Sequence, residues 1–349
     1  MKKIAVATFC LLVLFCFQAC KENEAKNVSF YHWKTKYSIS KTEKKLLKKA
    51  NSKKLYLRFF DLSYNQQENQ VLPTATLQMP AKDSTLGLQI IPVIYITNEV
   101  FEKTTKPSQL KYIAGQTLEK ILRLKSQHFN GNIIFPEIQI DCDWTVSTKE
   151  SYFTFLEELQ KSDLLSQFGE NSIKFSATVR LHQVKFPEKT GIPPVDEATI
   201  MFYNVGDLGS MEETNSILNI EKTSLYLSRL HEYPLPFNVA LPIFSWGVLY
   251  REGQLVGILS DIEEQQLTEN FTVSESENWF IATDDAFING NFVYKGDKLR
   301  MEDVTFSEFK KLQKMISEAA GRDYSVILYH INSSTLQNIN VNELLETLR

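Results

Sequence analysis

The stretch Ile133-Ile134-Phe135-Pro136-Glu137-Ile138-Gln139-Ile140-Asp141-Cys142-Asp143-Trp144 decides how the fold is read. It is a short apolar run, too short for a globular helix, that ends in two carboxylates two residues apart. Side chains on a strand alternate between its faces, so residues 137, 139, 141 and 143 share one side and the isoleucines share the other. Comparable runs recur outward in both directions: Leu55–Asp61, Leu88–Ile96, Ile173–Leu181, Thr199–Asn204, Asn238–Phe244, Trp279–Thr283 and Ser325–Ile331. Between them lie helical patterns at Pro107–Ser126, Lys149–Lys161, Ser216–His231 and Ser307–Ala320. Thr148 with Ser151 and Thr305 with Glu308 stand where helix caps are expected. Strands alternating with helices at this pitch make a parallel sheet, and about eight such units in some 300 residues suit a (β/α)₈ TIM-type barrel. The segment Val248–Leu259 breaks the alternation and reads as a hairpin turning at Glu252-Gly253, inserted after the sixth strand. A doubly wound sheet is the alternative, but it usually carries a Gly-rich phosphate loop, and none is present.

The amino terminus has a different character. Met1-Lys2-Lys3 precedes an apolar run from Ile4 to Phe17, followed by Gln18-Ala19-Cys20. A cationic start, an apolar core and a small residue before the cut form a secretion signal over residues 1–19. A cysteine directly after Ala19 makes a lipobox, with Phe17 in place of the usual leucine, and predicts acylation of Cys20. The expected divisions are a signal peptide over 1–19, a lipidated linker with a short helix over 20–50, and one barrel domain over 51–349. Lys21-Glu22-Asn23-Glu24 then resembles the charged export tags of surface lipoproteins in Bacteroidetes-type bacteria. The expected location is the cell envelope, at the outer membrane, with the lipid on Cys20 as the membrane contact.

Once residues 1–19 leave and Cys20 carries lipid, Cys142 is the one cysteine remaining, which excludes an internal disulfide and a cysteine zinc cluster. The formal net charge of −4 becomes more negative when Lys2 and Lys3 are removed. The lysine-rich stretch from Lys34 to Lys54 is broken by Leu46-Leu47 and reads as a solvated helix face, not a nucleic-acid footprint. The histidines lack ligand spacing, so neither a metal nor another cofactor is expected.

In a barrel of this kind the site lies at the carboxyl ends of the strands. Reading those ends gives Asp61, Asn98, Asp141, Asp143, Trp144, Arg180, His182 and Gln183, then Tyr203, Asn204, Ser245, Trp246, Tyr329 and His330. Aromatic faces that stack on pyranose rings, beside amides and carboxylates that take hydroxyls, are what a sugar site needs. Asp141 and Asp143 are the candidate catalytic pair, because two carboxylates on one strand face crowd each other and push one pKa upward. The candidate substrate contacts are Asp61, Trp144, Arg180, His182, Gln183, Tyr203, Asn204 and Trp246. Arg180 suits either charge balance for the aspartates or a ligand contact, and His182 either a base or a structural partner. Cys142 faces away from the aspartates and reads as core.

Three segments carry a family resemblance. Gln139 to Thr145 looks like the fourth-strand signature Asp-Gly-x-Asp-x-Asp-Trp-Glu of the family 18 glycoside hydrolases, the chitinase family. Met201-Phe202-Tyr203-Asn204 resembles its later Met-x-Tyr-Asp strand, and Ala240 to Gly247 resembles its Gly-x-Pro-x-Tyr-Gly segment. The chain also resembles a family of Bacteroidetes-type lipoproteins that carry such a barrel. The resemblance implies a chitinase-like barrel that binds or processes a glycan. Aligning Trp144 with the family tryptophan puts Thr145 where the family keeps its acid glutamate, Ile138 at the first aspartate and Asn204 at the later one. Threonine donates no proton at useful pH. Sliding the register by two puts Asp143 at the acid position but replaces the tryptophan with Cys142. Two functions therefore stand side by side: a glycoside hydrolase working through Asp141 and Asp143, and a noncatalytic barrel that binds a carbohydrate or protein in the envelope.

Overall fold

The computed structural model describes residues 27–79, 85–130, 133–169, 172–260, 262–274, 276, 278–333 and 340–348. The signal segment and Cys20 lie outside them. Eight parallel strands close into a barrel: β1 (Val28–His32), β2 (Lys54–Asn65), β3 (Gln89–Ile96), β4 (Glu137–Asp141), β5 (Lys174–Arg180), β6 (Glu197–Met201), β7 (Phe237–Pro242) and β8 (Val326–Tyr329). Each pairs with its sequence neighbour, and β1 pairs with both β2 (Phe30 beside Leu55) and β8 (Val28 beside Val326), which closes the ring. The (β/α)₈ expectation holds.

Two strand assignments are corrected. Val28–His32, expected to lie in a linker, is the first barrel strand, so the barrel begins well before Leu55 and the helix Lys41–Lys49 belongs to it. Trp279–Ala282, expected as a barrel strand, belongs to a separate antiparallel sheet. That sheet runs Gln254–Ser260, Trp246–Arg251, Lys298–Glu302, Trp279–Ala282, Phe271–Val273, and with the small hairpin Ala286–Ile288/Asn291–Val293 it makes up the insertion. It follows the seventh barrel strand rather than the sixth, and it is larger than one hairpin. The foreseen turn is present: Glu252 and Gly253 both have positive φ (49° and 79°), the two-residue geometry that matches the twist of paired strands. The insertion has its own core of Leu249, Leu259, Phe271, Ala282, Ile288, Val293 and Leu299.

Alternation explains the barrel's layers. On β4 the odd residues point inward and Ile138 and Ile140 point out against the helices, both fully buried. Each such side chain contributes roughly 1.5–3 kcal/mol through removal from water. Helix Pro107–His128 presents Leu110, Ala114, Leu118, Ile121 and Leu124 to this layer, a 3.6-residue stripe, and starts with proline at a position that needs no N–H bond. Thr305 and Glu308 form a reciprocal capping box on helix Phe306–Ala320, as expected. Thr148 does not cap Lys149–Gln160; its hydroxyl donates to Asn98 Oδ1 at 2.6 Å instead. The helix expected over Ser216–His231 is two short turns, Ile220–Ser224 and Leu227–Glu232.

The barrel interior is polar. Glu137 accepts from Ser176 Oγ at 2.6 Å and pairs with Lys54 at 3.3 Å. One layer up, Gln139 accepts from the Tyr31 hydroxyl at 2.5 Å and donates to Ser176 (3.2 Å) and Thr199 (3.0 Å). Each buried donor or acceptor here would cost about 1–3 kcal/mol if left unpaired, so the network fixes the strands to one another.

Candidate functional site

Asp141 ends β4 at the carboxyl-terminal mouth of the barrel. Register places it beside Tyr95 of β3, which in turn lies beside Asp61 of β2. Thr178 of β5 donates its hydroxyl to Asp141 Oδ1 at 2.5 Å. Burial raises the Asp141 pKa to about 7, with the nearby Asp143 charge adding to the rise and the Thr178 hydrogen bond opposing it. The neighbouring carboxylate adds to the rise on Asp141, second to burial.

Asp143, in the loop after β4, is bound by Arg180 from the end of β5. Nε and Nη2 of the guanidinium each reach one carboxylate oxygen at 2.6 Å, a planar two-pronged contact. Arg180 also approaches the Tyr203 carbonyl at 3.5 Å. Burial opposes the charge on Arg180, but the bound Asp143 carboxylate outweighs that and leaves its pKa above the ordinary value. The side chains of Arg180 and Asp143 are 23% and 44% exposed, so the pair is open to an incoming ligand.

Aromatic rings wall the mouth. Tyr329 of β8 stacks on Tyr203 with centroids 4.9 Å apart, and Tyr31, Trp33 and Phe244 pack around it at 5.4–5.5 Å. Trp246 meets Phe244 edge-on at 5.2 Å and donates its indole N–H to Glu302. Tyr95 is only partly covered, and burial together with the two aspartates lifts its pKa to about 12, so it stays a neutral donor.

The remaining predicted residues divide. Asp61 reaches the mouth but is held by Arg58, whose Nε donates at 2.7 Å and whose guanidinium lies over Trp33. Asn204 holds a left-handed backbone (φ 55°) and leaves its buried Oδ1 without a hydrogen-bond partner. With Arg180, His182, Tyr203 and Tyr226 it lines a depression of about 90 Å³. His182 is exposed at that rim, and the partial loss of water around its ring, then the Arg180 charge, lower its pKa. Two positions are corrected. Trp144 is core: it is 1% exposed, stacks on Tyr152 and donates to the Thr190 carbonyl at 2.8 Å. Gln183 is buried and ties the Trp144 carbonyl to the Arg180 N–H, holding the loop that carries Asp143. Thr145 is exposed and bonds to Ser147 and Thr148.

Sequence reasoning missed Tyr31, Trp33, Arg58, Tyr95 and Thr178. Tyr31 and Trp33 went with the unrecognised first strand. Tyr95 and Thr178 were readable, since each is on the inward alternation of a recognised strand beside Asp141. Among the described residues, no group of three or more His, Cys, Asp or Glu side chains is placed to hold a metal ion.

The fold defined by this ring of strands is that of the chitinase-like barrels. A chitinase from Chromobacterium violaceum overlays 93% of this chain and 99% of its own at a TM-score of 0.51, with 11% identity. The spore cortex-lytic enzyme SleL of Bacillus megaterium covers 93% of this chain with 73% of its own, at 0.52 and 13%. A chitinase-like agglutinin from Robinia pseudoacacia covers 92% and 98%, at 0.50 and 11%. No family model matches the chain, and no curated protein matches it in sequence.

Proposed function

We propose that this protein is a glycan-binding barrel held at the cell envelope, at the outer membrane, by lipid on Cys20. The observation that carries the glycan reading is the mouth itself: the Asp143–Arg180 pair and the Asp141 carboxyl stand within a wall of tyrosines and tryptophan. Stacked rings suit the C–H faces of pyranoses, and a fixed carboxylate with a guanidinium suits their hydroxyls and amides. The names of the structurally similar proteins, a chitinase, a spore cortex-lytic enzyme and a chitinase-like agglutinin, agree with a glycan ligand. Binding is favoured over turnover by the family mechanism because Thr145 stands in the acid position on the favoured alignment, and Arg180 occupies both oxygens of Asp143.

Hydrolysis is the second reading, and one observation favours it. A carboxyl with its pKa near 7 is protonated at mildly acidic pH and suits a general acid. Titrating the purified protein with chitooligosaccharides and peptidoglycan fragments, while measuring release of reducing ends, separates the readings. Binding without release, weakened by Asp143→Asn, is expected. Release that disappears in Asp141→Asn would make the protein a hydrolase, and neither binding nor release across the panel would end the glycan reading. For the anchor, Cys20→Ser is expected to move the protein out of the membrane fraction, and unchanged fractionation overturns that part.

A further inference from the structure

Helix Lys41–Lys49 buries Glu43, Leu46 and Leu47 against the barrel and turns Lys41, Lys44, Lys45, Lys48 and Lys49 to solvent. Lys53, just before β2, is exposed as well. The single carboxylate of this helix is turned inward, where it accepts from Ser40 N and from Ser333 Oγ. Among the described residues, none of the six lysines has a carboxylate within ion-pair distance. Lys49 donates to Asn342 and Lys53 to Asn51, while the exposed Glu343 and Glu346 of the adjoining helix Val341–Thr347 pair with none of them. Five lysines of one helix face, with Lys53 close by in sequence, therefore stand without an ion pair among the described residues of a chain whose formal net charge is −4. A randomly solvated surface would intersperse both signs.

The position of this face matters as much as its charge. β1 and β2 are parallel neighbours, with Phe30 beside Leu55, so Val28 and Lys53 stand side by side where both strands start. Adjacent strands are about 4.8 Å apart. The chain preceding β1 thus leaves the barrel directly beside the lysine face. Seven residues separate Cys20 from Val28, so the tether of eight residue steps spans at most roughly 28 Å when fully extended.

We infer that the lysine face of helix Lys41–Lys49, with Lys53, docks on an anionic membrane surface and sets the orientation of the barrel on it. This rests on lipid attachment at Cys20. The acyl group brings the membrane within reach of the short tether, and anionic headgroups complement six lysines whose attraction acts within a Debye length of the surface. The lipid supplies the attachment, and the basic face adds a second contact that fixes how the barrel lies on the surface.

The test uses the full chain isolated from membranes and reconstituted into vesicles of phosphatidylcholine alone or mixed with phosphatidylglycerol. Lysines are acetylated briefly and quantified peptide by peptide, and the mass of the Cys20 peptide reports acylation separately. On anionic vesicles, labelling of Lys44, Lys45 and Lys48 is expected to fall about fivefold relative to neutral vesicles. Lys310 and Lys311, exposed on helix Phe306–Ala320, are expected to label equally on both. The triple variant K44E/K45E/K48E is expected to remain attached through its lipid while losing protection at Lys41 and Lys49. Equal labelling of the lysine face on both vesicle types overturns the inference. If the Cys20 peptide carries no acyl group, the anchor fails on its own, and the docking face is decided by cosedimentation of that unacylated chain. Retention on anionic vesicles that the triple variant abolishes supports the face, and no retention overturns it.

Discussion

Asp141 makes the protein's stability depend on pH in a direction opposite to most aspartates. Its pKa of about 7 in the folded protein stands above the value of roughly 3.9 expected in the unfolded chain. Between those values the unfolded chain has released the proton that the folded protein keeps, so folding is progressively disfavoured as pH rises, and the loss levels off above pH 7. Asp141→Asn can still accept the Thr178 hydrogen bond and has no charge to bury. Its urea midpoint is expected to match wild type near pH 4 and to exceed it by the equivalent of a few kcal/mol at pH 8. An unchanged gap across that range would contradict the assignment. Asp143→Asn should behave differently: it strips the counter-charge from Arg180, lowering stability by roughly 1–2 kcal/mol and weakening glycan binding. The sequence alone pointed to crowding in the pair without saying which member bears it. That depends on Thr178 and Arg180, which reach the two aspartates from another strand at the 37-residue separations of their hydrogen bonds. Trp144 shows the converse failure. A tryptophan following a strand end reads as a pocket residue, yet the chain turns it outward onto Tyr152. Trp144→Ala is expected to cost about 3–5 kcal/mol in unfolding measurements while leaving ligand affinity of the folded fraction unchanged.

Among the elements, the insertion carries a buried ion pair on one of its own strands, and that pair reaches the loop after β6. Arg300 and Glu302 are both fully buried, with a 2.7 Å contact between them. Glu302 also accepts from the Ser216 N–H and the Trp246 indole, while Arg300 lies near the Tyr250 and Trp279 rings and donates to the Ser210 carbonyl. Removing one charge strands the other in the interior. Glu302→Gln should therefore cost on the order of 3–5 kcal/mol, and Arg300→Met/Glu302→Leu clearly less, as read from urea midpoints of the three proteins. A double variant as damaged as the single one would show that the pair stabilises by more than mutual neutralisation. The strands of this insertion also explain where element reading failed. Trp279–Ala282 is half-buried, yet its short apolar run looks like a barrel strand, because periodicity cannot separate four apolar residues in one sheet from four in another. Val28–His32 is fully buried but follows a polar tract, and nothing local marks a five-residue run as a strand rather than linker. The longer elements, β2, β3 and helix Pro107–His128, were legible because their length and flanking signals agree.

For the whole molecule, closure of the ring was implied by the count of strands, but the identity of the closing strand was not. That identity depends on a contact between Val28 and Val326, pairing two segments almost a full chain apart. Hydrogen exchange is expected to report the barrel strands as the slowest unit and the insertion, with its smaller core, as a faster one. Equal protection in both would mean that they open together. The pairing of first and last strands also has a consequence in time. At about 5–20 residues per second, synthesis of a chain this long takes on the order of half a minute or more. Throughout it, β1 waits with an unsatisfied edge for a partner that is made almost last. No product that stops short of β8 can complete the ring, so each such product exposes two open strand edges, the surfaces on which aggregation begins. The barrel's own edges are closed only once β8 has been made and has found β1.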